Sequence, residues 1–193
     1  SYADRFDAHL TEELGYRTPT LLRGLYEKVG GGRVRRLIDL GCGTGLSGEA
    51  FSALAEEQVG VDLSPKMVEA ARVKGLYRSL HVGEVVGFLE KSTARYELLL
   101  AADVLVYIGD LAPLFSAAAA RCKKGARFLL SVEQSEQPGF HLQASERFAH
   151  HPDHVAAAAA KAGFTVEASE PCDLRKDEGS WIQGTLFCLR RGR

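Results

Sequence analysis

Several things are scarce in this sequence. Four cysteines occur in 193 residues, at positions 42, 122, 172 and 188, and no two form a CxxC pair. That spacing excludes a cysteine-based zinc site, and a chain of this length does not need disulfide staples. A reduced, cytoplasmic compartment is the expectation. No run of 18 apolar residues exists, so a membrane-spanning helix is excluded. The stretch from Ser1 to Asp7 is polar and charged and lacks the apolar core of a signal peptide. Neither sign of charge is in excess. Lysine and arginine number 24 against 25 acids, for a net charge of -1. A nucleic-acid partner normally requires a basic surplus, so this balance argues against one.

What is present reads as a single α/β domain spanning residues 1–193. Hydrophobic residues make up 46%, enough for a sizeable core at this length. Short apolar runs alternate with amphipathic ones, the rhythm of a βαβ protein with a parallel sheet. Strands are expected at 34–40, 58–61, 79–82, 97–101, 127–132, 164–169 and 184–189. Helices are expected at 19–29, 46–55, 84–91, 111–122 and 152–162, with another starting after Ser64. Thr18 and Ser64 are the expected caps, each followed by a proline suited to the first helical position. Residues 134–151 have no clear period and read as a lid or acceptor loop. Phe6, Leu10 and Leu14 recur every four residues, so one helix face is expected across 2–16. Residues 1–30 would then be a helical segment covering a ligand site.

The chemistry begins where the first strand meets glycine. Leu40 is followed by Gly41, Gly43 and Gly45, and then by a helix. Open α/β sheets bind ligands at the carboxyl ends of their strands, and glycine lets the backbone come close to a ligand. The spacing is GxGxG. Leu46 stands where a dinucleotide fingerprint has its third glycine, which argues against NAD. Asp62 ends the second strand, 23 residues after Asp39. Its two oxygens suit the two hydroxyls of a ribose. The plainer alternatives are a tight strand-to-helix turn at 41–45 and a helix-start charge at 62. Asp39, Asp62, Glu84, Asp103 and Glu133 all fall at predicted strand ends. Five acids around one cleft suggest a cationic ligand.

These segments resemble the class I S-adenosylmethionine-dependent methyltransferases. The run from Asp39 through Gly45 resembles their first motif, and the run from Val59 to Ser64 resembles their ribose-binding strand end. More narrowly, the chain resembles predicted methyltransferases associated with tetratricopeptide repeats. That likeness rests on Phe6 to Leu10, Gly15 to Arg17, Ala101 to Tyr107 and Arg147 to His150. The resemblance implies a Rossmann-like seven-stranded, mostly parallel sheet with an antiparallel last strand and helices on both faces. It implies S-adenosyl-L-methionine as cofactor and S-adenosyl-L-homocysteine as product. Gly41, Gly43 and Gly45 would line the methionine portion, and Asp39 would reach its ammonium directly or through water. Asp62 would hold the ribose, and Leu63 and Met67 would pack on the adenine. Gly83 and Glu84 would sit at the adenine edge. Ala102 would face the sulfonium. Because the chain starts at Ser1, a repeat region upstream is a further expectation.

A sulfonium is already a good leaving group, so in-line methyl transfer needs mainly alignment. A base matters only for a protonated acceptor. Asp103, Tyr107 and His150 are the catalytic candidates. No metal is expected. Near-neutral charge favours a small-molecule acceptor. A protein or RNA methyltransferase targeted by a repeat module, and a non-catalytic cofactor-binding module, are the alternatives.

Overall fold

The computed structural model describes residues 1–192. Nine strands form one sheet. They are β1 (Val34–Leu40), β2 (Ala55–Asp62), β3 (Ser79–Val82), β4 (Tyr96–Ala101), β5 (Cys122–Gln134), β6 (Phe140–Leu142), β7 (Phe148–His150), β8 (Phe164–Asp177) and β9 (Ser180–Arg191). The helices are α1 (Tyr2–Ala8), α2 (Thr18–Lys28), α3 (Leu46–Phe51), α4 (Pro65–Val73), α5 (Val85–Lys91), α6 (Ala112–Arg121) and α7 (Pro152–Lys161).

Seven strands follow the order β3-β2-β1-β4-β5-β9-β8. Every pair from β3 to β5 is parallel, and β9 runs antiparallel to both β5 and β8. The last strand is thus antiparallel, as the resemblance implies. Strand order reverses between β1 and β4, and ligands of open α/β sheets bind at such a switch point.

Alternation along the central strands explains the layers. Ile38, Leu40, Leu99, Phe128 and Leu130 join Leu89, Phe115 and Val155 in one core. Leu37, Leu98, Leu100 and Leu129 join Leu22, Leu25, Tyr26 and Phe51 in the other. Neighbouring strand residues point to opposite faces. The sheet therefore buries α5, α6 and α7 on one side and α2 and α3 on the other. Among the described residues no helix is long and apolar enough to cross a membrane. All four cysteines are free.

Several local expectations need correction. Ser64 does cap α4, accepting from the Met67 amide at 3.3 Å, with Pro65 at the first position. Thr18 is not a cap: Arg17 takes that position, and Thr18 is buried inside α2. The N-terminal segment is not one regular helix, because α1 ends at Ala8 and a π-helical turn covers His9–Glu13. The β8–β9 hairpin is more than twice as long as the apolar runs imply. Its arms extend past the core, so alternation with solvent hides them from a search for apolar stretches. Glu178 and Gly179, with φ of 47° and 82°, make its tight tip.

The largest correction concerns 134–151. This segment is not a structureless loop. It forms the β6–β7 hairpin, whose three-residue strands are too short to show a period. β7 pairs in parallel with Glu133 and Gln134 of β5. β4 pairs with β5 only as far as Leu130, and β9 holds the opposite edge at Glu133. β7 therefore takes the place that β4 vacates when its chain turns away. Gly109, on that departing chain, allows the contact: a Cβ there would meet Phe140 at 2.7 Å and Phe148 at 3.0 Å. Gly109→Val should cost about 1–3 kcal/mol by overpacking this seam. Urea denaturation of the purified variant reads the loss, and unchanged stability would mean the seam carries no weight.

Candidate active site

β1 ends by hydrogen-bonding twice to one acceptor. The Gly41 and Cys42 amides both donate to the Val61 carbonyl, at 2.8 and 2.9 Å. The chain then bends through Gly41, Gly43 and Gly45, with φ of 71°, 52° and 97°. Side chains rarely adopt that backbone region. At Gly41 space is also lacking, since a Cβ would lie 2.3 Å from Val104. At Gly43 the reverse holds: nothing lies within 4 Å of the added atom. Its Cα faces a cavity of about 480 Å³, well inside the ~300–1,000 Å³ usual for ligand pockets.

Asp62 closes the same bend. Its Oδ2 accepts from the Gly43 amide and its Oδ1 from the Ser64 amide, each at 2.9 Å. A carboxylate offers about four lone-pair sites, so two remain for a ligand. Asp62 lines the cavity beside Leu63, whose side chain is 70% exposed. Glu84 also lines it, although its oxygens cap α5 through the Val86 and Gly87 amides at 2.9 and 2.8 Å.

Asp39 does not line the cavity directly. It is 1% exposed and lies behind the bend, off the cavity wall. The Tyr77 hydroxyl donates to it at 2.6 Å. Burial pushes the Asp39 carboxyl up to about 7; the Tyr77 hydrogen bond opposes this and the charge of Asp62 adds to it. Tyr77 itself packs under the glycines, where a Cβ on Gly48 would meet its hydroxyl at 2.4 Å. Gly45, Met67 and Gly83 likewise lie off the wall. They shape the bend and the strand ends behind it; the Gly83 amide, for example, bonds the Asp62 carbonyl at 2.9 Å.

The N-terminal segment forms one side of the cavity through Phe6, Leu10 and Tyr16. It is pinned by Asp7, which accepts from the Thr44 hydroxyl and from Lys74 Nζ at 2.6 Å.

The other end of the cavity is built on β4 and β5. Asp103 follows β4 with φ of 55°, an unusual value for a residue with a side chain. Ser131 on β5 holds it twice: the Asp103 amide donates to the Ser131 hydroxyl at 2.9 Å, and that hydroxyl donates to Oδ1 at 3.1 Å. Burial raises the Asp103 carboxyl to about 6, opposed by hydrogen bonds from Ser131 and Tyr16. Burial and the adjacent Asp103 push the Tyr16 phenol well above its usual range. Ala102, Tyr107, Arg147 and Arg175 line the same end. Tyr107 is 69% exposed at the mouth. Glu133 and Arg175 are both buried and pair at 3.2 Å.

His150 is off the wall as well. It is fully buried, and its Nε2–H donates to the Gly109 carbonyl at 3.1 Å. Burial lowers its pKa. It clamps the β6–β7 hairpin to the chain after β4 and does not face the cavity. Of the five acids expected around a cation, Asp62, Glu84 and Asp103 line the cavity. Asp39 is held by Tyr77, and Glu133 is neutralised by Arg175. Sequence reading missed Tyr16, Tyr77, Ser131 and Arg175 as site residues. Tyr16 and Arg147 carry a signal only as part of the quoted resemblance, and nothing local marks Tyr77 or Arg175.

Comparison with known proteins agrees with this geometry. Residues 38–128 match the family model described as a methyltransferase domain. The chain is 29% identical over 111 residues to a ubiquinone biosynthesis O-methyltransferase of Xanthomonas oryzae pv. oryzae, covering 55% of this chain and 46% of the relative. It is 28% identical over 121 residues to the protein of that name from Bordetella avium, covering 59% and 49%. The chain thus spans about half the length of the curated relatives it matches. The fold is that of an S-adenosylmethionine-dependent methyltransferase from Clostridium acetobutylicum, with TM-score 0.74, 16% identity and coverage of 100% and 98% of the two chains. It is also that of the N-methyltransferase NodS from Bradyrhizobium japonicum with bound S-adenosyl-L-homocysteine, with TM-score 0.69, 16% identity and coverage of 91% and 86%. The architecture is therefore the class I methyltransferase fold.

One consequence concerns the buried pair behind the domain's glycine bend. Tyr77→Phe removes the hydroxyl that stabilises ionised Asp39. The Asp39 carboxyl, already raised, should rise further, so the ionised form becomes harder to bury. The variant should lose about 1–3 kcal/mol, with a larger deficit at pH 8 than at pH 5. Urea denaturation at both pH values measures this, and a pH-independent deficit would contradict the pairing.

Proposed function

We propose that the protein is an S-adenosylmethionine-dependent methyltransferase acting on a small-molecule acceptor. One observation carries the reading. The Gly43 amide is clamped to Asp62 while the Gly43 Cα faces open cavity, so a bare backbone and a carboxylate with spare lone pairs share one wall. The O-methyltransferase names of the curated relatives support a small acceptor.

The residues present fit the donor. Asp62 would accept from the ribose hydroxyls. Gly41 and Gly43 would let the backbone approach the methionine portion. Leu63 would lie against the purine, with Glu84 at its edge. Ala102 would sit near the sulfur. When bound, S-adenosylmethionine supplies a methyl group on a sulfonium leaving group. The chain's part is to align the acceptor and manage its proton. Asp103 is the group for that proton. A carboxyl raised to about 6 is ionised at neutral pH yet basic enough to act as a general base. Ser131 fixes its direction, and Tyr107 stands at the entrance.

Asp62→Ala should weaken binding of S-adenosyl-L-homocysteine by about 1–3 kcal/mol through lost charge-assisted hydrogen bonds. Calorimetric titration reads this, and full affinity in the variant would refute the ribose role. Asp103 works as a base only when ionised, so turnover should fall as pH drops through about 6. Asp103→Asn should lower kcat more than donor affinity and abolish that acid limb. A limb retained in the variant would assign the titration to another group.

A further inference from the structure

Arg147 is a cation that the site described so far does not use. It lines the cavity and is half-buried. Among the described residues it has no carboxylate within 4.0 Å and makes no side-chain hydrogen bond. Its backbone, in contrast, is fixed. The Arg147 carbonyl accepts from the Gln143 amide at 2.9 Å and from its side-chain nitrogen at 3.1 Å. The residue immediately precedes β7, which takes the sheet position vacated by β4. His150 and Phe148 hold that strand against Gly109. The hairpin is thereby positioned to present one guanidinium at the end of the cavity that holds Asp103.

The charges around it decide what it can receive. Arg175, on the same wall, is already matched by Glu133 at 3.2 Å. Asp103 shares the cavity, and the Arg147 charge favours the ionised forms of both Asp103 and Glu133. With Glu133 matched by Arg175, Asp103 is the carboxylate left at that end, so a dianion such as a phosphate ester would bring two charges against one free guanidinium that already faces Asp103. A carboxylate suits it better, since one planar monoanion matches one guanidinium fork. Building on the methyltransferase reading, we propose that Arg147 receives a carboxylate of the acceptor. The substrates are then small hydroxy- or amino-carboxylic acids whose nucleophile reaches Asp103 while their acid group rests on Arg147.

The test uses the protein saturated with S-adenosyl-L-homocysteine. It is titrated calorimetrically with 2- and 4-hydroxybenzoate, 4-aminobenzoate and lactate, each beside its primary amide, and with phenyl phosphate. At least one acid should bind about tenfold or more tightly than its amide. Arg147→Gln should abolish that preference, and Arg147→Lys should restore part of it by keeping charge without the fork. Both variants should keep the wild-type melting temperature and affinity for S-adenosyl-L-homocysteine. The proposal is overturned if no acid exceeds its amide, if the preference survives Arg147→Gln, or if phenyl phosphate binds best. Absence of S-adenosyl-L-homocysteine binding by the wild-type protein would instead sink the donor reading, which keeps the two failures apart.

Discussion

One hydrogen bond, from the Gly43 amide to Asp62, joins the ends of β1 and β2 just where the sheet stops. The rest of the donor side depends on it. Without it, the bend through three left-handed glycines would keep its backbone bonds to Val61 but lose the one side-chain anchor at Gly43, and glycine is the residue with the most freedom to lose. The carboxylate instead fixes the bend and is itself fixed by the Ser64 amide. Behind the bend, Tyr77 on Asp39 supplies a buried polar support. In front, Thr44 and Lys74 hold Asp7 and with it the N-terminal segment. The contacts run in sequence from the buried interior, through the bend, to the cover over the cavity. A polar network in a low-dielectric interior stays stable only when its members are satisfied, and here each carboxylate named has its donor.

The other end of the cavity obeys a different constraint. β4 leaves the sheet early, and the edge it exposes on β5 is filled by β7. An unfilled edge would present unpaired backbone groups. Filling it with a returning hairpin brings residues distant in sequence beside Asp103. Local burial then raises the Asp103 carboxyl, while Ser131 and Tyr16 keep it from rising further. The result is a carboxylate poised near neutrality in a mixed field of acids and arginines. A purely acidic cleft of five carboxylates would have repelled its own members, and the Glu133–Arg175 pair removes one of them from that sum.

Most of the parallel sheet was legible because buried strands read as dense apolar runs, as Tyr96–Ala101 does. The glycine bend and Asp62 were legible because their chemistry needs fixed residue types at fixed spacing. Asp103 was legible as an acid at a strand end. The hairpin at Phe140–Leu142 and Phe148–His150 was not, because three-residue strands carry no period. The outer halves of Phe164–Asp177 and Ser180–Arg191 were not, because they extend beyond the core. Asp39 and His150 were placed at the ligand by motif and resemblance alone. Their side chains bond Tyr77 and Gly109, partners that no local pattern announces.

The sequence by itself determined the α/β class, the run of parallel strands and the residues of the donor-side bend. Those features follow from short-range periodicity and from the backbone needs of a few glycines. Only the tertiary structure decided which acids face the cavity, which are buried behind it, and that arginines share its far end. That choice rests on contacts between segments tens of residues apart, where burial and pairing are set by packing and not by spacing along the chain.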